Sequence, residues 1–491
     1  MSRLVTLLVV ALLLLPATAV AQRKAKPQPL DGLADYIEQA RKDWKVPGLA
    51  IAIVKDDSIV VMRGFGVREL GKPEPVDAHT VFAIGSCSKA FTATLIAMLV
   101  DQGKLRWDDP VTKYLTGFQL YDPYVTRELT IRDLLSHRSG LSRGDLSWYA
   151  SGHDRADVLR RIRYLKPSSS FRSKYGYQNI MFSAAGEIVG KKVEGTSWDK
   201  AVRERIFLPL GMLESSTSIT ALEGRTDVAA PYAEVNDTVR LIKLMNIDNI
   251  GPAGSINSSV FDMAQWIRFQ LNQGLGAGRQ MLSVKNLEET HSPQTVIPRD
   301  RDFEKVNPNT HLRAYGLGWV LSDYRGRLIV SHGGNIDGMS AQVTLMPEEK
   351  LGFVILSNLD NSGLRTPLNY RIFDSFLGAP SRDWSKDLLQ RRDSIDADSK
   401  AETAKEDSAR VPGTSPSLPL AQYEGTYTDS LYGDVVIQVE NDHLVARFGP
   451  LFIGDLEHWN YDTFRVIWRD PYYGKNKVTF VLGQDGKVSE L

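Results

Sequence analysis

The stretch "VFAIGSCSKAFTATLIAMLVDQGKL", residues 81–105, decides how the chain is read. Ala90, Phe91, Ala93, Leu95, Ile96, Met98, Leu99 and Val100 are apolar nearly all round a helix, the pattern of a helix buried on every side. Gly103 supplies the stop. Ser86 and Lys89 are three apart and share a face in the first turn. A lysine is rarely buried without a partner. A desolvated lysine has a lowered pKa and can act as a base toward a serine hydroxyl. The start of a helix also offers backbone N–H groups to a developing oxyanion. The plain alternative is a serine capping a core helix and a lysine reaching solvent. S-x-x-K alone does not separate the two.

Upstream, "DGLADYIEQARKDWK" (31–45) has the helical spacing of Leu33, Tyr36, Ile37 and Trp44, broken by Pro47 and Gly48. "GLAIAIVKDDSIVVMRGFGVRE" (48–69) reads as a hairpin turning at Asp56-Asp57. Downstream of 105 the pattern is helical and loop-rich. Strands return at "RLIVSHGG" (327–334), "SAQVTLMP" (340–347) and "KLGFVILSN" (350–358), before a helix, "LNYRIFDSFLG" (368–378), with Gly378 as its C-cap. Strands at both ends therefore bracket a helical middle. The expected fold class is α+β: one antiparallel sheet built from the two ends and flanked by helices.

Two further motifs complete the first. "YQN", Tyr177-Gln178-Asn179, follows the serine, and "HGG", His332-Gly333-Gly334, ends an apolar strand. With S-x-x-K, they make the chain resemble the serine β-lactamase and penicillin-binding-protein superfamily, in its class C and D-aminopeptidase-like H-x-G form. "LTIRDLLSHRSGL" (129–141), "IFLPLGM" (206–212), "PAGSINSSVFDMAQWI" (252–267) and "YGLGW" (315–319) fall in the family's order, so the resemblance covers roughly residues 30 to 380.

The resemblance implies roles. Ser86 is the nucleophile, and Lys89 and Tyr177 share its proton transfer. Asn179 bonds substrate or holds Lys89. His332 stands where many relatives have lysine. The backbone N–H groups of Ser86 and Asn335 form the oxyanion hole, and Gly333 and Gly334 let substrate lie against bare backbone. Tyr175 competes with Tyr177, and the Y-x-N spacing favours the latter. His137 and Cys87 read as structural. An imidazole binds a carboxylate less firmly than a permanent ammonium. The implied reaction is therefore acyl-enzyme hydrolysis of amides, foremost of D-residue-containing peptides, ahead of carboxylester and β-lactam hydrolysis. A binding-only envelope protein is the alternative of a different class.

"GLSRG" (140–144) imitates a hydrolase elbow, but a helical pattern precedes Ser142 where a strand is required. "GLGAG" (274–278) follows a helix, so it is no dinucleotide loop. No histidine or cysteine spacing suggests a metal, and no cofactor is expected. The chain has 491 residues and zero formal net charge, with no basic block for nucleic acid. Its partners are expected to be small-molecule or peptide substrates, with no integral membrane segment once the leader is removed.

"MSRLVTLLVVALLLLPATAVAQRK" reads as a signal peptide, residues 1–21, cut after Ala19-Val20-Ala21, so export to the periplasm or exterior is expected. Cys87 is the sole cysteine, so no intrachain disulfide can form. The hydrolase unit is expected over 22–384, a charged linker with some helix over 385–417, and an all-β module over 418–491. That module, with Tyr423, Tyr427, Phe448, Trp459, Phe464, Trp468, Tyr472 and Phe480 in short alternating segments, resembles the lipocalin-like barrels appended to some of these hydrolases. A closing strand is expected after "GKVSEL", so either the barrel is open or the sequence is incomplete.

Overall fold

The computed structural model describes residues 30–299, 301–306 and 309–491. The expected leader, residues 1–21, lies outside them. The first unit is built on an eight-stranded antiparallel sheet. Its strands are β1 (Gly48–Lys55), β2 (Ser58–Gly66), β3 (Thr295–Val296), β4 (Arg313–Tyr315), β5 (Val320–Tyr324), β6 (Arg327–Ile336), β7 (Met339–Met346) and β8 (Leu351–Ser357). Their spatial order is β2-β1-β8-β7-β6-β5-β4-β3, so the amino-terminal hairpin pairs onto the last strand of the unit, Ile51 opposite Ile355. The hairpin turns at Asp56 (φ 49°) and Asp57 (φ 62°), the left-handed pair that matches the twist of two joined strands.

Alternation along β1 sorts its side chains between two cores. Leu49, Ile51 and Ile53 meet α1 (Leu33–Asp43) and the helix at Arg365–Leu377 on one face. Ala50, Ala52 and Val54 belong to the core of the helical region on the other. Strand β1 is thus buried on both sides, which is why it reads as an unbroken apolar run. Helix α2 (Ser88–Asp101) runs through the helical region, with Ser88 through Leu99 all buried. Burial from every direction removes any need for a polar face. Helices α3 (Asn179–Glu187) and α4 (Val260–Leu271) pack within the same core. Helix α5 is the Arg365–Leu377 helix, and it ends at left-handed Gly378.

The charged segment forms one long helix, α6 (Trp384–Ser408), where a linker with only some helix was expected. It carries no apolar stripe. Buried Trp384 anchors its start, with Nε1 donating 2.7 Å to Asp374. Trp44 Nε1 donates to Ser385 at 3.0 Å. The last unit is a six-stranded antiparallel meander: β9 (Gly425–Asp429), β10 (Gly433–Glu440), β11 (His443–Phe448), β12 (Phe452–Asn460), β13 (Thr463–Trp468) and β14 (Lys475–Thr479). Its end strands do not pair with each other, so among the described residues it is an open half-barrel. Tyr423, Phe464 and Phe480 sit in its core. No helix among the described residues is long and apolar enough to cross a membrane.

Candidate active site

The nucleophile candidate sits just ahead of α2, in the single tight turn Gly85–Cys87. Ser88 stiffens that turn: its Oγ donates 2.7 Å back to the Gly85 carbonyl and accepts from Ile256 N at 3.1 Å. Strand β6 passes close by. A Cβ on Gly334 would stand 1.9 Å from the Ile84 carbonyl oxygen and 3.1 Å from Ser86 N. One on Gly85 (φ 51°) would stand 2.9 Å from Asn335 N. Two bare backbones therefore let the strand seat against the turn and bring Asn335 N toward Ser86. This corrects the expected reason for Gly334, which is bare for the turn and not for a substrate. Gly333 faces the other way, toward Gln342 and Arg365, so neither glycine lines the cleft.

Ser86 Oγ lies 2.9 Å from Lys89 Nζ and accepts from Tyr177 Oη at 2.7 Å. Lys89 is fully buried, and its Nζ also donates 2.8 Å to the Ala253 carbonyl. Burial pulls its pKa well below the usual lysine value, toward the neutral amine that can take a proton from serine. Burial raises Tyr177 in the opposite sense, so its hydroxyl stays a donor. The Tyr177 ring is held by buried His137, at 4.2 Å between ring centroids. His137 Nδ1 accepts from Gln178 N at 3.1 Å, and burial keeps this imidazole neutral.

A cavity of about 80 Å³ opens beside Ser86, and Arg143, Trp148, Asn179, Asn335 and Ile336 are among its lining residues. Asn179 lines the cavity. Its Nδ2 donates to Asp145 at 3.1 Å and makes no bond to Lys89, a position taken by the Ala253 carbonyl.

His332 departs further from expectation. It is 4% exposed, with Nε2 2.8 Å from the Tyr315 hydroxyl and Nδ1 2.7 Å from the Gly333 carbonyl. A carbonyl only accepts, so Nδ1 carries the proton and Nε2 accepts from Tyr315. Burial, with Lys89 nearby, holds its pKa down to about 3. The ring is neutral, satisfied inside the protein and absent from the cavity lining. Its backbone serves the site too, since the buried Cys87 thiol donates 3.2 Å to the His332 carbonyl. Burial pushes that thiol up to about 12, which keeps it inert.

Sequence reasoning missed Tyr315, Arg143, Asp145, Trp148 and Arg365. Tyr315 opens the "YGLGW" segment, and Arg143 and Asp145 lie in and beside "GLSRG", the segment set aside as a decoy. Asp145 gathers three cleft residues, accepting from Arg143 Nε, Asn179 Nδ2 and Trp148 Nε1. Arg365 donates 2.8 Å to the Gly334 carbonyl and 3.1 Å to Asn335 Oδ1, bracing β6 from the side away from Ser86. Among the described residues no cluster of histidine, cysteine or carboxylate side chains is arranged to hold a metal.

Residues 33–375 match the family described as Beta-lactamase. The chain belongs to the β-lactamase family. Residues 409–491, the half-barrel and its approach, match a Domain of unknown function (DUF3471). This β-lactamase-family chain is 32% identical to the unguisins hydrolase of Aspergillus violaceofuscus over 442 residues, 82% of this chain and 76% of that one. In fold it resembles an octameric penicillin-binding protein homologue from Pyrococcus abyssi, with TM-score 0.62, 22% identity and coverage of 93% and 97%. It also resembles a D-stereospecific amidohydrolase from Streptomyces sp., with TM-score 0.58, 22% identity and coverage of 71% and 99%. The protein is a serine hydrolase of the β-lactamase and penicillin-binding-protein superfamily.

Proposed function

We propose that Ser86 attacks amide or ester carbonyls to form an acyl-enzyme, and that the preferred substrates are amides of D-residue-containing peptides. The observation that carries the first part is the convergence of Lys89 Nζ (2.9 Å) and Tyr177 Oη (2.7 Å) on one serine oxygen at a cavity edge. The neutral Lys89 amine takes the Ser86 proton as Oγ bonds to the carbonyl carbon. The oxygen of the resulting tetrahedral intermediate lies toward the Ser86 and Asn335 backbone N–H groups, which stabilise its charge. Tyr177 passes a proton to the leaving amine or alkoxide and recovers one from Lys89. Water then attacks the acyl carbon by the reverse proton route.

The substrate preference rests on charge. His332 is neutral and internally bonded, and Arg143, the cation lining the cleft, is already paired with Asp145. A free carboxylate beside the scissile bond, as in penicillins or a peptide C-terminus, therefore finds no uncommitted cation among the lining residues. A hydrolase relative at 32% identity and a D-stereospecific amidohydrolase on the same fold support this reading. Turnover of D- and L-aminoacyl amides, aryl esters and β-lactams by one preparation tests it. The expected order of kcat/KM is D-amide, then ester, then β-lactam, and faster β-lactam turnover would overturn it. We also propose export through residues 1–21, supported by the leader's composition. A secreted form whose mass begins at Gln22 is the expected product, and an intact leader on the exported chain would contradict it.

A further inference from the structure

The half-barrel meets the hydrolase unit directly beside the cleft. Trp148 and Ile336 both line the cavity. The residues that follow them, Tyr149 and Asp337, are joined to each other: Tyr149 Oη donates 2.6 Å to Asp337 Oδ1. This bond spans from the loop after Asp145 to the turn between β6 and β7, and so ties those two segments together. The module buttresses it from behind. Tyr472, in the loop between β13 and β14, directs its hydroxyl at Asp337 Oδ1 and Asp360 Oδ2, each 3.4 Å away. Phe452, at the start of β12, packs against both Tyr149 (6.4 Å) and Tyr473 (4.6 Å). The turn at Gly449 fits so closely that a Cβ there would stand 2.4 Å from the Ala150 carbonyl. Asp337 is 4% exposed, and burial together with facing Asp360 raises its carboxyl above the usual range.

We propose that the Tyr149–Asp337 strap, backed by Tyr472 of the carboxy-terminal module, sets how large an acyl group the Ser86 cleft admits. Tyr149, Asp337 and Tyr472 are positioning residues, because none of them lines the cavity and each acts through Trp148 or Ile336. A bond between residues adjacent to two lining side chains from separate segments limits how far those segments separate. The module's contribution is to keep Tyr149 and Asp337 from rotating apart. The inference rests on Ser86 being the acylated residue.

The test uses the full chain with Tyr149→Phe and Tyr472→Phe, each of which keeps the ring and removes the hydroxyl. Fluorophosphonate labelling of the parent establishes that Ser86 reacts. Aryl acetate and aryl octanoate esters then report acyl-size preference. Tyr149→Phe is expected to raise octanoate kcat/KM relative to acetate about fivefold, mainly through KM. Tyr472→Phe is expected to shift the same ratio about twofold in the same direction, because its bonds are longer. Hydrogen exchange at 145–150 and 335–340 should quicken in both. Asp337→Ala, which removes the acceptor of the Tyr149 hydroxyl, serves if Tyr149→Phe does not fold, and the same ratio is read. An unchanged ratio in a labelled protein overturns the strap alone, as does a parallel loss on both esters. A parent that is not labelled overturns the strap and the nucleophile together.

Discussion

The reactivity of Ser86 is a consequence of what surrounds two protons. Lys89 is held below its usual pKa by burial and His332 is held at about 3, also by burial. The pH profile of acylation follows from these signs. As pH rises through the lowered Lys89 pKa the neutral amine becomes populated, and the rate rises to a plateau with a midpoint well below 10.5. His332 is already neutral over the roughly pH 5–8 range in which an ordinary histidine titrates, so it adds no step there. Probe acylation rates measured across pH check both, and a midpoint near the ordinary lysine value would contradict the first. Replacing Tyr177 by Phe removes the 2.7 Å donor to Ser86 and the proton carrier to the leaving group. Single-turnover acylation should fall about a hundredfold to ten-thousandfold. A rate near the parent's would remove Tyr177 from proton transfer. At this scale the sequence was readable where spacing is local. The i, i+3 relation of Ser86 to Lys89 is a property of any helical turn. The orientation of His332 was not readable, because it depends on Tyr315, a partner on another strand.

Among elements, the decisive contact is between strand β6 and the turn that carries Ser86. Gly334 has no room for a methyl group, with the Ile84 carbonyl 1.9 Å from where a Cβ would lie. Gly334→Ala must push the strand off the turn, at a cost of about 1–3 kcal/mol or more. Because the displaced strand also carries Asn335 N, acylation should fall more steeply than stability. Denaturant midpoints and probe rates on the same preparation measure the two losses, and a fully active Gly334→Ala protein would contradict the account. The elements themselves were legible to different degrees. The hairpin at Asp56-Asp57 carries a strong turn signal, and the late strands carry β-branched apolar runs. Strands β3 and β4 are only two and three residues long, too short to show a period, while β5 turns into β6 through Arg325-Gly326, a local turn signal that sequence reasoning passed over. Helix α6 hid for a different reason. Its residues suit a helix, but it has no apolar stripe to be detected, and the Trp384 anchor lies one residue outside the charged run.

For the whole molecule, stability carries its own pH signature. Asp262 at the start of α4 is buried and accepts from Glu214 N, Ser215 N and Ser215 Oγ, tying the 214–215 loop to the helix. Burial raises its pKa from 3.8 to about 6. The folded protein therefore binds this proton more tightly than the unfolded chain. That contribution is fully present below the unfolded pKa and is lost as pH rises through about 6. Its size is at most about 3 kcal/mol. The parent should gain stability relative to Asp262→Asn as pH falls from roughly 7.5 to 5. Urea unfolding of both proteins at the two pH values checks this, and a constant difference between them would refute it. The two-unit organisation was visible as a change in composition near residue 418, whereas the docking of the half-barrel beside the cleft was not, since it rests on Tyr149, Asp337 and Tyr472 meeting from distant segments. The most direct test of the central claim is the intact mass of the full chain after exposure to a fluorophosphonate, parent beside Ser86→Ala. A single adduct on the parent that is absent from the variant is the predicted result. No adduct on folded parent, or an equal adduct on both, would contradict an activated nucleophile at Ser86.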